Sequence, residues 1–419
     1  MKKVLCALLL AGVIMACQQN QSTNDAEQVS PESFVRIDGQ NLVRPNGSKL
    51  FIKGTNLGNW LNPEGYMFGF GKTNSARFIN EMFCQLVGPD YTAKFWKAFK
   101  DNYITRQDVE FIASTGANTI RLPFHYKLFT DEDYMGLTAA QDGFARVDSV
   151  VNWCRDNGLY LILDMHDAPG GQTGDNIDDS YGYPWLLESE ESQRLFCAIW
   201  KRIADYYKNE PVILGYELIN EPIAPYFDNM DELNAKLEPL HKRAVKAIRE
   251  VDSHHIILIG GAQWNGNFKP FHDATYDDKL MYTCHRYGGE PTKAAIQTII
   301  NFRDSVNLPM YMGEIGHNTD EWQAAFCRTM EENNIGYTFW PYKKVDGSSF
   351  MGIVRPKGWE QIVAFSEASR GTYKEIRDAR PANQEAMKQL MNQFIENCKF
   401  ENCIRQESYI RSLNMQENL

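Results

Sequence analysis

Short runs of apolar, β-branched residues alternate along this chain with longer stretches whose apolar residues recur at helical spacing. Eight of these runs have the length and composition of buried strands, and they are Leu50–Asn56, Thr119–Pro123, Leu159–Met165, Val212–Ile219, Ile256–Gly260, Leu280–Cys284, Met310–Gly313 and Gly336–Phe339. Helical patterns lie between them, for example over Glu191–Lys208 and Asp231–Glu250. Strands that alternate with helices indicate a parallel sheet, and eight such strands close a barrel. We therefore predict an α/β fold, a (β/α)8 TIM barrel.

Additional elements are predicted on either side of the barrel. The run from Phe34 to Lys49 contains Asp38-Gly39 and Asn46-Gly47, dipeptides that are typical of tight hairpin turns. We expect an N-terminal β-hairpin there that closes the bottom of the barrel. The segment after Arg370 has a polar helical pattern, which predicts a C-terminal helical extension on the outside. Residues 33–419 contain no linker or repeat and are interpreted as one catalytic domain.

The N-terminus has the pattern of a secretion signal. Two lysines are followed by an apolar run from Val4 to Ala16 that is too short to span a membrane. The sequence before Cys17 resembles a bacterial lipobox, in which the cysteine carries the lipid. We predict a lipoprotein signal peptide over 1–16, lipidation of Cys17, a flexible tether over 17–32 and an extracytoplasmic, lipid-anchored protein on a bacterial membrane. An ordinary signal peptide is the alternative.

Charge excludes one class of partner. The net charge is −11, and removal of residues 1–16 takes away two lysines and no acid, which makes it −13. An acidic protein is a poor match for nucleic acid and suits a neutral substrate.

The nine cysteines are scattered along the chain. We interpret most of them as small buried apolar residues rather than a disulfide framework, although Cys398 and Cys403 are close enough in sequence to form a bridge. No cluster has metal-ligand spacing, so we expect neither a metal nor a cofactor. Calcium binding by Asp175, Asp178 and Asp179 stays open, because these residues lack a clear ligand pattern.

Two strand-like runs end in glutamates. Glu217-Leu-Ile-Asn-Glu-Pro222 and Met312-Gly-Glu-Ile-Gly316 each place a carboxylate where an apolar run stops. A buried carboxylate is costly unless it is paired or used. Two of them on separate strands are typical of the acid/base and nucleophile pair that cleaves a glycosidic bond. Glu217 lies four residues before Glu221, an even spacing that places both side chains on the same face of a strand. We expect Glu217 to have a structural role, paired with a cation inside the barrel.

Polar and aromatic residues follow nearly every predicted strand, where function lies in such barrels. In chain order they are Asn56, Arg121, His166, Asn220 with Glu221, Gln263 or Trp264, His285 with Tyr287, Glu314, and Trp340. The ordered set Arg121, His166, Asn220, Glu221, His285, Tyr287, Glu314 and Trp340 resembles glycoside hydrolase family 5, over Gly54 to about Lys344.

The resemblance implies a retaining glycosidase with Glu221 as acid/base and Glu314 as nucleophile. The physical chemistry of the other six residues fits substrate binding and support of that pair. Arg121 would orient Glu314 and hold it ionised, and Tyr287 would donate to the second oxygen of Glu314. Asn220 would bond the sugar 2-hydroxyl, and His285 would tune Glu221. Trp340 offers a flat face for a sugar ring, and His166 completes the set.

Two further segments bear on the substrate. Gly54–Leu61 and Leu163–Gly174 resemble the exo-β-1,3-glucanase-like branch of that family. Aromatic residues in the long loops, among them Tyr66, Phe68, Phe70, Tyr181, Tyr183, Trp185, Tyr226, Phe227, Trp264 and Phe268, are expected to wall a deep pocket. We therefore expect exo-hydrolysis of a β-glucan or gluco-oligosaccharide. The alternatives are an endo-β-1,4-glucanase or mannanase and, in another class, a non-catalytic glycan-binding surface lipoprotein.

Overall fold

A closed barrel of eight parallel strands forms the centre of the molecule in the computed structural model, which describes residues 29–136, 139–175 and 177–415. Three short strands precede it: β1 Arg36–Asp38, β2 Asn41–Val43 and β3 Lys49–Leu50. The barrel strands are β4 Lys53–Asn56, β5 Thr119–His125, β6 Tyr160–Asp167, β7 Ile213–Glu217, β8 Ile256–Gly260, β9 Leu280–His285, β10 Met310–Gly316 and β11 Gly336–Trp340. Each pairs with the next along the chain, and β11 pairs with β4. The predicted (β/α)8 barrel is confirmed.

Helices surround the barrel between successive strands. They are α1 Ala76–Val87, α2 Pro89–Asn102 and α3 Arg106–Ser114 after β4, then α4 Ala140–Asp156, α5 Glu190–Tyr207, α6 Met230–Arg249, α7 Ala262–Asn265, α8 Gln297–Val306 and α9 Asp320–Glu332. Their apolar faces pack on the barrel because the buried positions recur at helical spacing, as Phe196, Trp200 and Ile203 do in α5. None of the helices in the described ranges is long and apolar enough to cross a membrane.

The N-terminal sheet closes the bottom of the barrel. Strands β1, β2 and β3 form an antiparallel sheet whose first turn contains Gly39 at a φ of 54°, a conformation that suits glycine. Apolar residues of this segment, Val35, Leu42 and Leu50, pack on residues of the barrel strands such as Ile162, Leu214, Ile256 and Met281. This end therefore holds a dry core, and the site must lie at the other end. The predicted lipid anchor at Cys17 and residues 17–28 of the tether lie outside the described residues.

The C-terminal part packs against one side of the barrel. It contains β12 Lys343–Val345, β13 Met351–Ile353, α10 Glu360–Glu367, α11 Tyr373–Ala379, α12 Gln384–Cys398, β14 Ile404–Arg405 and α13 Glu407–Ser412. Phe394 of α12 stacks on Phe68 and on Trp359, with ring centroids 5.3 and 4.6 Å apart. Strands β12, β13 and β14 form a small sheet that the sequence did not predict, since strands of two or three residues leave no periodic pattern.

The cysteines behave as apolar residues. All seven cysteines of the described residues are free thiols, and five of them are buried. Cys398 and Cys403 do not form the bridge that their spacing allowed. The thiol of Cys403 instead points at the carbonyl oxygen of Cys398, 3.6 Å away.

Candidate active site

A small pocket opens at the carboxyl end of the barrel strands. Its volume is about 210 Å³, and its walls are formed by Glu64, Tyr66, His166, Ile177, Glu221, Tyr287, Glu314, His317 and Trp340. Five of the eight residues predicted for the site therefore face the pocket. Arg121, Asn220 and His285 are buried and hydrogen bond to the pocket residues. The structure brings all eight together.

Glu221 and Glu314 lie side by side in this pocket. A carboxylate oxygen of each, together with a ring nitrogen of His285, lies within 4.8 Å of the others. Both side chains are nearly buried, with 9% of Glu221 and 4% of Glu314 exposed. The two carboxylates are close enough for direct attack by one of them on a sugar carbon, and too close to leave the wider gap that an inverting enzyme needs for its water.

Local backbone irregularities position both glutamates. The register of β10 shifts between Met312 and Glu314, where it pairs with β9, and such a bulge re-aims the side chain beside it. A Cβ atom on Gly313 would lie 3.0 Å from Nε2 of His285, so a glycine there leaves room for the histidine. Glu221 adopts a φ of 45°. Non-glycine residues rarely adopt this conformation, and it tends to occur at functional sites.

Arg121 organises the floor of the pocket. Its Nε and Nη2 donate to the two carboxylate oxygens of Glu217, at 3.1 and 2.7 Å, and its Nη1 donates to Oε1 of Glu314 at 2.7 Å. Nη2 also donates to Oδ1 of Asn220 at 2.9 Å and lies 3.0 Å from Asp164. Glu217 thus pairs with a cation inside the barrel, as its strand position led us to expect.

The two glutamates have different surroundings. Glu314 accepts hydrogen bonds from Arg121 and, through its other oxygen, from the Tyr287 hydroxyl at 2.6 Å. Glu221 contacts Nδ1 of His285 at 2.8 Å, and no lysine or arginine of the described residues forms an ion pair with it. Burial, with the charges of Glu314 and Glu64, raises the pKa of Glu221 well above its usual 4.5. Two neighbouring carboxyl groups in such different surroundings are typical of an acid and a nucleophile.

His166 belongs to a second hydrogen-bonded chain. Its Nδ1 lies 2.7 Å from Asp164, and its Nε2 lies 3.2 Å from Nδ2 of Asn220. Burial lowers the pKa of His166 to about 3, so the ring is neutral. Its face stacks on Trp340 with the ring centroids 5.0 Å apart, and the indole N–H donates to the hydroxyl of Tyr66.

Sequence reasoning missed several residues of the pocket. Glu64 lies in the loop after β4 rather than at a strand end, so the rule that located the other residues does not reach it. His317 follows β10 and lines the pocket. Burial lowers the pKa of His317 to about 4. Asp164 is two residues before His166 on β6, a spacing that places both side chains on one face.

The deep aromatic wall is only partly as predicted. Of the aromatic residues proposed for it, Tyr66 lines the pocket. Phe68, Phe70 and Phe268 are buried in the core, because α1, α2 and α12 cover the loop after β4 and α8 covers Phe268. Tyr181, Trp185, Tyr226 and Trp264 are exposed to solvent.

The acidic loop after β6 has structural partners. Asp178 accepts from the backbone N–H groups of Thr173, Gly174 and Ser180, and Asp175 accepts from the Tyr226 hydroxyl. His125, Asp167 and Asp179 have ligand atoms within 4.8 Å of one another. However, Nδ1 of His125 accepts from the N–H of Lys127, so Nε2 carries the proton and donates to Asp179 at 3.0 Å. The geometry is that of a hydrogen bond rather than of a metal ligand.

Comparison with protein families identifies the family of this chain. Residues 81–345 match the family model described as cellulase (glycosyl hydrolase family 5). The chain belongs to glycoside hydrolase family 5. The matched segment runs from α1 to β12 and contains the eight strand-end residues predicted for the site, from Arg121 to Trp340.

Curated relatives carry several names. A β-xylosidase of Phanerodontia chrysosporium is 30% identical over 61% of this chain and 52% of its own length. Endoglucanase C of Acetivibrio thermocellus is 28% identical over 64% of this chain and 92% of its own length. Glucan 1,3-beta-glucosidase I/II of Saccharomyces cerevisiae is 28% identical over 69% of this chain and 64% of its own length. The chain thus spans about half of the first of these proteins.

Solved structures share the fold. An endogalactoceramidase has a TM-score of 0.59 at 17% identity and covers 91% of this chain and 84% of its own. Thermotoga maritima Cel5A in complex with cellobiose has a TM-score of 0.51 at 20% identity and covers 75% of this chain and 96% of its own. At these identities the likeness supports the barrel architecture alone.

Proposed function

We propose that this protein is a retaining β-glycosidase that hydrolyses β-linked glucans or gluco-oligosaccharides from the chain end, without a cofactor. The observation that carries the proposal is the pair of buried carboxylates, Glu221 and Glu314, whose oxygens lie within 4.8 Å of each other in one pocket. A non-catalytic glycan-binding protein has no use for two carboxylates in this state, because burying them together costs free energy.

The reaction follows from the surroundings of the pair. The Glu314 carboxylate, oriented by Arg121 and Tyr287, attacks the anomeric carbon while protonated Glu221 donates its proton to the leaving glycosidic oxygen. A glycosyl ester on Glu314 results. Glu221, now a carboxylate, takes a proton from water, and the water oxygen attacks the anomeric carbon and releases Glu314. Asn220 is assigned to the sugar 2-hydroxyl, because its Nδ2 retains a second N–H beyond the one directed at His166.

Pocket size supports action at the chain end. A volume of about 210 Å³ is below the roughly 300–1,000 Å³ of pockets that enclose larger ligands, and it suits one sugar ring. Oε1 of Glu64 is buried and has no hydrogen-bond partner among the described residues. We assign it to a hydroxyl of that ring, stacked near Trp340. The name of the yeast relative agrees with a terminal glucose unit, whereas the name of endoglucanase C supports the endo-acting alternative.

Two measurements on the purified protein test the proposal. Proton NMR during hydrolysis of para-nitrophenyl β-glucoside should first detect the β-anomer of glucose, and the α-anomer would contradict retention. A panel of β-1,3- and β-1,4-linked gluco-oligosaccharides and β-mannan should release glucose as the sole early product. A ladder of oligomers would indicate an endo-acting enzyme, and binding without hydrolysis would indicate a glycan-binding protein.

We further propose that the mature protein is held on the membrane by a lipid on Cys17. The apolar run that ends at Cys17, behind two lysines, supports this proposal.

A further inference from the structure

Asn265 is the last residue of α7, a single short turn after β8 whose backbone is left-handed rather than α-helical. Gln263, Trp264 and Asn265 have φ values of 48°, 57° and 59°, so three successive non-glycine residues adopt the left-handed conformation. Each such residue is disfavoured by contacts of its Cβ atom. Hydrogen bonds of 2.8 and 2.9 Å between the backbones of Ala262 and Asn267 hold the turn closed. Strain that the surroundings maintain in this way tends to have a functional consequence.

The consequence of the turn is the position of the Asn265 amide. The side chain is fully buried, and its Nδ2 lies 3.1 Å from Nε2 of His285. A Cβ atom on Gly260 would lie 2.2 Å from Oδ1 of Asn265, so the glycine at the end of β8 makes room for the amide. His285 in turn contacts Glu221 through Nδ1 at 2.8 Å. A continuous chain therefore joins Asn265, His285 and Glu221.

The same arrangement occurs around His166 on the other side of the pocket. There the donor and the acceptor of each hydrogen bond can be determined. Asn220 must point Oδ1 at Arg121, because a guanidinium can only donate. Its Nδ2 therefore donates to Nε2 of His166, and the proton of His166 is on Nδ1, facing Asp164. In both chains an asparagine amide contacts Nε2 and a carboxyl group contacts Nδ1.

We propose that Asn265 is a positioning residue that fixes His285 in the tautomer with the proton on Nδ1, so that His285 always donates to Glu221. This inference rests on the proposed function, in which Glu221 is the acid/base. A neutral imidazole has one N–H, so an amide donor at Nε2 forces the proton to Nδ1. The donated hydrogen bond stabilises the carboxylate form of Glu221, which the second half of the reaction requires.

Removal of the amide should therefore change the ionisation of Glu221. Without a donor at Nε2, the ring of His285 can carry its proton on either nitrogen. Glu221 then no longer has a permanent hydrogen-bond donor at Nδ1. Its pKa rises, since the charged form loses a hydrogen bond. The groups that face Glu221 from the surrounding elements, and that remain in the variant, are Glu314, Glu64, Arg121, Asp164 and His285.

Asn265→Gly is the informative variant, because glycine accepts the positive φ and the backbone of the turn is kept. The basic limb of the pH profile of kcat/KM on para-nitrophenyl β-glucoside should move to higher pH by about half a unit or more. Asn307→Gly replaces another asparagine at positive φ, at the end of α8, and should leave the limb in place. In a His285→Gln background, Asn265→Gly should cause no further shift.

Nitrogen-15 NMR of the histidine rings gives a readout that does not depend on activity. In the wild-type protein Nε2 of His285, assigned by its loss in His285→Gln, should resonate as an unprotonated nitrogen, and Asn265→Gly should move it toward a mixture of tautomers. A protonated Nε2 in the wild type would overturn the inference. So would a variant whose activity falls equally at every pH. A protein that hydrolyses no glycoside would contradict the proposed function, and the NMR result would still decide the tautomer.

Discussion

Arg121 makes two hydrogen bonds to Glu217 and one to Glu314. The bidentate pair with Glu217 fixes the plane of the guanidinium, because two parallel N–H groups meet two oxygens. The remaining Nη1 is therefore aimed at Glu314 before any substrate arrives. A residue that never faces the pocket thus determines where the proposed nucleophile is held.

Replacement of Arg121 by methionine should destabilise the fold. It would leave Glu217 and Asp164 buried without their cation, and breaking a buried ion pair costs about 3–5 kcal/mol. Urea unfolding should measure this loss as a lower midpoint with an unchanged slope. Arg243→Met, at an exposed arginine that bonds Glu190, is the control and should change the free energy of unfolding by about 0.5 kcal/mol or less. A comparable effect of both variants would contradict the buried network.

Alanine at the two glutamates should produce different failures. Glu221→Ala should lose orders of magnitude on a glucan, which needs a protonated leaving group, and far less in the glycosylation step on an aryl glycoside with a good leaving group. Glu314→Ala should be nearly inactive on both substrates. Rates on the two substrates measure this directly.

Azide separates the two roles further. In Glu221→Ala it should attack the glycosyl-enzyme and give a β-glycosyl azide, whereas in Glu314→Ala it should attack the substrate and give the α-anomer. Proton NMR identifies the product. Swapped anomers would mean that the roles are reversed, and an undiminished Glu314→Ala would reject the mechanism.

The pH profile should respond to Glu64. Burial, then the charges of Glu314 and Glu64, raise the pKa of Glu221. As an acid Glu221 must be protonated, so activity falls as pH rises through its pKa. Burial and the charge of Glu314 also raise the pKa of Glu64 well above its usual 4.5, so Glu64 carries its charge only above that raised pKa. Glu64→Gln removes this charge, and the basic limb of kcat/KM should move to lower pH. Glu188→Gln, on a glutamate that bonds Lys236, should leave the limb unchanged. A shift to higher pH in Glu64→Gln would contradict the electrostatic picture.

Lipidation of Cys17 has a simple consequence. Cys17→Ser should move the protein from the membrane fraction to the soluble extracytoplasmic fraction, with unchanged specific activity, because the replaced residue precedes all the barrel strands in the sequence. Fractionation followed by an activity assay checks both points. A variant that stays membrane-bound would place the anchor elsewhere.

The site residues at strand ends could be predicted from the sequence, whereas most of those in loops could not. Arg121, Glu221 and Glu314 each follow an apolar run, and the barrel topology brings such positions together at one end. Glu64 lies in the loop after β4, where a carboxylate has no strand-end position to mark it, and only the aromatic residues beside it, such as Tyr66, indicated a pocket wall. Phe68 is an aromatic residue of the same loop as Tyr66, and the sequence does not distinguish the two, yet helix packing buries Phe68. Asn265 reaches His285 only because of a left-handed turn that no propensity predicts.

The N-terminal sheet closes one end of the barrel, and this determines where the chain enters the domain relative to the pocket. Phe34, near the start of the described chain, stacks on His254 just before β8, at the end of the barrel opposite the pocket. The described chain therefore enters the barrel from the side away from the site. If Cys17 carries the proposed lipid, the tether reaches the domain at the end opposite the mouth and leaves the mouth open to glycans.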